Sequence, residues 1–177
     1  MKKKTLALVL ALTLLVAGVV GGTLAWLTDQ TAEVKNTFTV GDINIGLTET
    51  TTDYKMVPGN TIAKDPTVTV KANSEACWLF VQVTESTDLK DFITYAIAEG
   101  WTALPGVDGV YYREVPASVA DQTFSVLAGD AVTVKSDVTR TMLETAKTDA
   151  PTLTFKAYAI QKDHFATADA AWAEVSK

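Results

Sequence analysis

From about residue 37 the chain is written in short stretches where apolar and polar residues alternate, broken by Gly, Pro, Asp and Asn. In "NTFTVGDINIGLTE" the alternation runs on Phe38 and Val40, changes phase at Gly41-Asp42, and continues on Ile43, Ile45 and Leu47. A phase change at a glycine predicts a bulge or a sharp bend. "DPTVTVKA" alternates on Val68 and Val70, and "ACWLFVQV" puts Cys77, Leu79, Val81 and Val83 on one face. "GVYYREV" and "QTFSVLAGDAVTVKS" supply further strands. "PTLTFKAYAIQ" sets Leu153, Phe155, Ala157 and Ala159 against Tyr158 and Ile160, the pattern of a strand buried on both sides. A series of such runs between turn signals predicts an antiparallel sandwich.

Three stretches depart from period two. The residues after Asp88 predict a helical turn that gives way to a strand in "FITYAIAEGW". "DVTRTMLETAK" predicts a short helix with Thr141 and Glu144 at capping-box spacing. "ATADAAWAEVSK" predicts a closing helix around Trp172. Helices do not alternate with strands as a parallel α/β fold requires.

The first 25 residues have the layout of a secretory signal. Lys2, Lys3 and Lys4 precede an apolar run from Leu6 to Val20, and small residues follow at Gly21, Gly22, Thr23 and Ala25. The expected division is a signal helix over 1–25, cut at Ala25 and Trp26, and one domain over 26–177 whose first residues, 26–36, form a free segment. An uncleaved anchor is the competing reading, because the uncharged stretch from Leu6 to Leu27 would also be long enough to cross a bilayer.

Composition narrows the partners. Removing residues 1–25 leaves 12 basic against 21 acidic side chains, a net charge of −9. Nucleic acid and anionic lipid both call for clustered Lys and Arg, so neither is expected, and the membrane is met only through the signal before cleavage. The remaining 152 residues suffice for one domain with its own core. Cys77 is the only cysteine, which excludes an intrachain disulfide and predicts a small buried hydrophobe.

A search for chemistry returns little. His164, the only histidine, stands in the polar stretch "QKDHFAT". Zinc peptidase chemistry needs several His or Cys ligands, and an HExxH helix needs two histidines. No GxSxG elbow and no phosphate-binding glycine loop is present. Turn acids such as Asp121, Asp130 and Asp137 leave weak calcium binding open. Trp101 and Trp172 are expected in the core, with a sugar-stacking platform as the alternative. No catalytic residue, cofactor or metal ligand is assigned.

Four stretches resemble one family, the TasA and camelysin group of secreted matrix-fibre proteins of Gram-positive bacteria. They are "GGTLAWLTD", "NTFTVGDINIGLTE", "VPGNTIAKDPTVTVKANSEACWLFVQV" and "LTFKAYAIQKDHFATADAAW". The resemblance implies an all-β, jelly-roll-like sandwich with one or two short helices. It also implies cleavage between Ala25 and Trp26 by a SipW-type signal peptidase, and assembly into extracellular biofilm fibres. Because Trp26 and Leu27 lead into the β-prone run of Thr37, Phe38 and Val40, the expected assembly step is strand addition from one copy to the next, with a related matrix protein as a further possible partner. Such head-to-tail contact does not close, so it builds filaments. Camelysin-like members are also described as metalloproteases. The rival functions are therefore a cell-surface metalloprotease and a monomeric carbohydrate-binding or adhesive module.

Overall fold

The computed structural model describes residues 42–177, apart from Asp53. The signal, its junction and the assembly residues Trp26, Leu27, Thr37, Phe38 and Val40 lie outside the described residues, as does the phase change at Gly41.

Among the described residues, ten strands form three antiparallel sheets. The strands are β1 (Ile45–Thr48), β2 (Thr61–Ala63), β3 (Thr67–Val70), β4 (Cys77–Glu85), β5 (Ile93–Thr94), β6 (Thr102–Ala103), β7 (Val110–Val115), β8 (Gln122–Ser125), β9 (Ala131–Val134) and β10 (Leu153–Gln161). The largest sheet has the order β10-β4-β7-β6, a second has β1-β3-β8, and a third has β2-β9-β5. The all-β antiparallel expectation holds, and every strand-forming run named above supplies at least one strand. The described residues include three short α-helices, where one or two were expected.

The long central pair fixes the plan. β4 and β10 are nine residues each and pair from Leu153 with Glu85 to Gln161 with Cys77. Period two then sends Cys77, Leu79, Val81 and Val83 to one side, where, with Val115 of the adjacent strand β7, they meet Val68, Val70 and Val126 of the facing layer. Leu153, Phe155, Ala157 and Ala159 share that side. Trp78, Phe80, Tyr158 and Ile160 point the opposite way, beneath the C-terminal helix Ala168–Val175. Both strands therefore have apolar neighbours on both faces, as the sequence of β10 predicts.

The helix is held by its aromatic contact rather than by length. Trp172 is buried against Phe80 and Tyr158, with ring centroids 5.3 and 5.2 Å away. Thr167 caps its first turn by accepting from the Ala170 amide at 3.3 Å. The helix Arg140–Ala146 is capped by Thr139, which accepts from the Met142 amide at 3.3 Å. This corrects the expected box at Thr141 and Glu144. Thr139 keeps extended backbone while Thr141 is already inside the helix, where its carbonyl accepts from Thr145. The helical turn Leu89–Phe92 passes directly into β5, as expected.

The third sheet arises from a corner. β2 pairs with β9 and β3 pairs with β8, so two successive pairs form one ladder bent between them. The bend falls at Lys64–Pro66 on one side and Val126–Asp130 on the other. Pro66 has no N–H to continue a ladder, while Gly129 and Asp130 both take positive φ, 65° and 49°. Lys64 N still donates to Asp130 O at 2.7 Å, and Val126 N to Pro66 O at 2.9 Å, so the corner closes with its backbone paired.

One glycine is required by close approach. Gly109 has φ +71°, and a Cβ there would stand 2.4 Å from the Val83 carbonyl oxygen. Its own carbonyl accepts from Val83 N at 2.7 Å, which ties the β6–β7 turn to β4.

Candidate functional site

Where the bent ladder leaves the main sheet, a cleft of about 710 Å³ opens along the start of β10. Leu153 and Phe155 form its floor, with Leu47 of β1, Ile62 of β2, Leu89 and Val132 around them. Two of the bordering strands have one neighbour each among the described residues, β1 with β3 and β10 with β4. Among the described residues, the N–H and C=O groups of their remaining edges have no ladder partner. Leu47 continues the apolar alternation of Ile43 and Ile45 but is 37% exposed, because its side chain meets the cleft rather than the closed core.

The corner places a charge in this apolar setting. Lys64 is 7% exposed, and its Nζ lies 2.6 Å from Glu49 Oε1. The ammonium also sits 4.6 Å from the Tyr54 ring centre and 5.4 Å from that of Phe155. The Tyr54 hydroxyl donates to Glu49 at 2.7 Å. Burial, with the Glu49 carboxylate beside it, holds that phenol above its ordinary value. An isolated buried ammonium would be costly, so Glu49 and the aromatic faces are what allow Lys64 to remain inside. The neighbouring Asp65 faces outward and accepts from the Thr50 amide at 3.0 Å and from the Thr50 hydroxyl at 2.5 Å. These two hydrogen bonds hold its carboxyl below the usual range.

The residues singled out in the sequence are not gathered here. Cys77 is fully buried in the main core, and burial pushes its thiol up to about 11. His164 is exposed in the 3-10 turn Lys162–His164. Asp121 clamps the β3–β4 turn, accepting from Ala72 N at 2.8 Å and pairing with Lys71 at 3.0 Å. Asp130 belongs to the corner, and Asp137 is exposed in the loop after β9. Trp101 is half-buried, donates from Nε1 to the Ser125 carbonyl at 2.9 Å, and stands 5.3 Å from the Arg113 guanidinium. Trp172 is buried, as expected of a core residue, and the alternative of a sugar platform built on it does not hold. Lys64, Glu49 and Tyr54 carried no sequence signal, since a lysine beside Asp-Pro reads as an ordinary turn residue.

Among the described residues the donor set does not suit a zinc peptidase centre, since no three His, Cys, Asp or Glu side chains stand together. The whole chain has one histidine, whereas hydrolytic zinc is held by three protein ligands, usually with two or more histidines. Among the described residues the geometry offers an apolar cleft bordered by strands with one ladder neighbour each.

The comparison with known families meets this picture from the other side. Residues 1–88 match the family described as Camelysin metallo-endopeptidase. The resemblance to the TasA and camelysin family therefore holds over the stretch that contains the signal-like segment, β1 to β4 and the corner with Lys64. His164 and β10 lie beyond the matched part. No curated protein and no solved structure matches the chain.

Proposed function

We propose that the protein is a secreted structural subunit that builds extracellular matrix fibres, the N-terminal segment of one copy adding as a strand to the cleft of the next. The observation that carries this reading is the apolar cleft of about 710 Å³ along β10, bordered by strands that have one ladder neighbour each among the described residues. Its volume falls within the ~300–1,000 Å³ typical of formed binding sites, enough for a short extended stretch. The segment from Trp26 to Lys35 has a matching character. In extended backbone Trp26, Thr28, Gln30, Ala32 and Val34 fall on one face, while Asp29, Glu33 and Lys35 fall on the other with Leu27 and Thr31. One face is thus free of charge and suits an apolar cleft. Cleavage after Ala25 would release this segment, coupling assembly to export.

A peptide of residues 26–40 added to the isotope-labelled secreted chain tests the contact. It should shift the resonances of Leu47, Leu153 and Phe155. Peptide binding that leaves those three unmoved would place the acceptor elsewhere, and absence of binding would remove the proposal's basis.

The family description favours a second reading, a cell-surface metallo-endopeptidase. Against it stand the single histidine and the dispersed acids. Chelator-sensitive cleavage of casein by the purified chain would establish it.

A further inference from the structure

The charged groups of the cleft lining stand together. Among the described residues they are Glu49 and Lys64, and the two are paired. Lys64 Nζ at 2.6 Å and the Tyr54 hydroxyl at 2.7 Å both donate to one carboxylate oxygen of Glu49, Oε1. The other oxygen, Oε2, has no hydrogen-bond partner among the described residues, although the Glu49 side chain is only 16% exposed. The pair is already balanced in charge, so what it still accepts is an uncharged donor. A second ammonium would leave an unmatched positive charge in an apolar cleft, and a carboxylate would be repelled by Oε2.

An entering strand that drives water from Oε2 has to supply that donor, because a desolvated carboxylate oxygen without a partner is costly. The uncharged face of the N-terminal segment is formed by Trp26, Thr28, Gln30, Ala32 and Val34. Gln30 stands at its centre and carries two amide N–H groups on a long, neutral side chain. Trp26 also has an N–H, but it lies at the end of the segment beside the terminal ammonium that cleavage after Ala25 would create. We infer that Gln30 of one copy donates to Glu49 Oε2 of the next and sets the register in which the segment enters, an inference that rests on the proposed strand-accepting role of the cleft. A slip by one residue turns Asp29 and Glu33 toward the apolar floor. A slip by two brings Thr28 or Ala32 to Glu49: Ala32 has no side-chain donor, and the short Thr28 hydroxyl can bond its own backbone instead. A buried polar contact of this kind fixes alignment more than it adds tightness.

The test titrates peptides of residues 26–40 into the isotope-labelled secreted chain and follows the resonances of Leu47, Leu153 and Phe155. The peptides are the natural one and its Gln30→Leu, Gln30→Glu and Thr28→Val variants, so the fold of the acceptor is untouched. Gln30→Leu should bind about tenfold or more weakly, through loss of a hydrogen bond to a charged group, Gln30→Glu more weakly still, and Thr28→Val within about twofold of the natural peptide. On the chain carrying Glu49→Gln, the penalty of Gln30→Glu relative to the natural peptide should shrink by about tenfold, as direct contact between the two positions requires. Gln30→Leu binding as tightly as the natural peptide, or a Gln30→Glu penalty that is equal on both chains, would overturn the register contact while leaving the strand-accepting role intact. A natural peptide that shifts none of the three resonances would overturn the strand-accepting role and this inference with it.

Discussion

Replacing Trp172 with Ala separates a core anchor from a binding platform. Trp172 is 9% exposed, packs on Phe80 and Tyr158, and is the largest side chain that the helix Ala168–Val175 contributes to its cluster. Truncating a buried tryptophan costs about 3–5 kcal/mol, the upper part of the range applying where the surroundings cannot collapse. Here the floor is the paired β4–β10 ladder, which is tied to β7 and cannot move into the space. For a domain of this size each kcal/mol lowers the melting temperature by about 2–4 °C. The expected loss is therefore about 6–20 °C, read by circular dichroism. A loss below about 3 °C would refute the packing account of this helix.

Removing Glu49 should be more damaging than removing the pair. Glu49→Ala leaves the Lys64 ammonium buried without its carboxylate and should cost about 3–5 kcal/mol in denaturant unfolding, whereas Lys64→Met with Glu49→Leu should recover most of it. Equal losses in the two proteins would contradict the pairing. Asp65 and Asp121 are both held below their ordinary carboxyl values, Asp65 by Thr50, Asp121 by the Ala72 amide and then Lys71. Their contribution is present above about pH 4 and is lost as pH falls through the lowered values, so acid titration should release Thr50 and Ala72 amide protection before global unfolding. Protection that persists until the sheets melt would count against both clamps. Cys77, buried and with its thiol raised to about 11, should resist maleimide at pH 8 in the folded chain and react once denatured. Rapid labelling of the native protein would show that the main core opens.

Local patterning carried the elements whose environment repeats along their own length. β10 could be read as buried on both sides because Leu153, Phe155 and Ala157 alternate with Tyr158 and Ile160 within nine residues. Trp172 could be placed in the core because a large aromatic on a predicted helix is more often packed inside than displayed. The corner and its cleft were not legible for the opposite reason. They depend on β2–β3 lying against β8–β9, more than fifty residues away, and on where that ladder bends. Lys64 is inside because it falls at that bend, and no neighbour in sequence announces it. Likewise the cap of Arg140–Ala146 shifted from Thr141 to Thr139 because both threonines have the right chemistry, and only the backbone angle at which the helix begins distinguishes them.

The strand-addition account stands or falls with the segment that precedes β1. Electron microscopy of the secreted chain, set beside the same chain lacking Trp26 to Asn36, tests it most directly. The account predicts long unbranched filaments from the first and folded single particles from the second. Filaments of normal length from the shortened chain would contradict it.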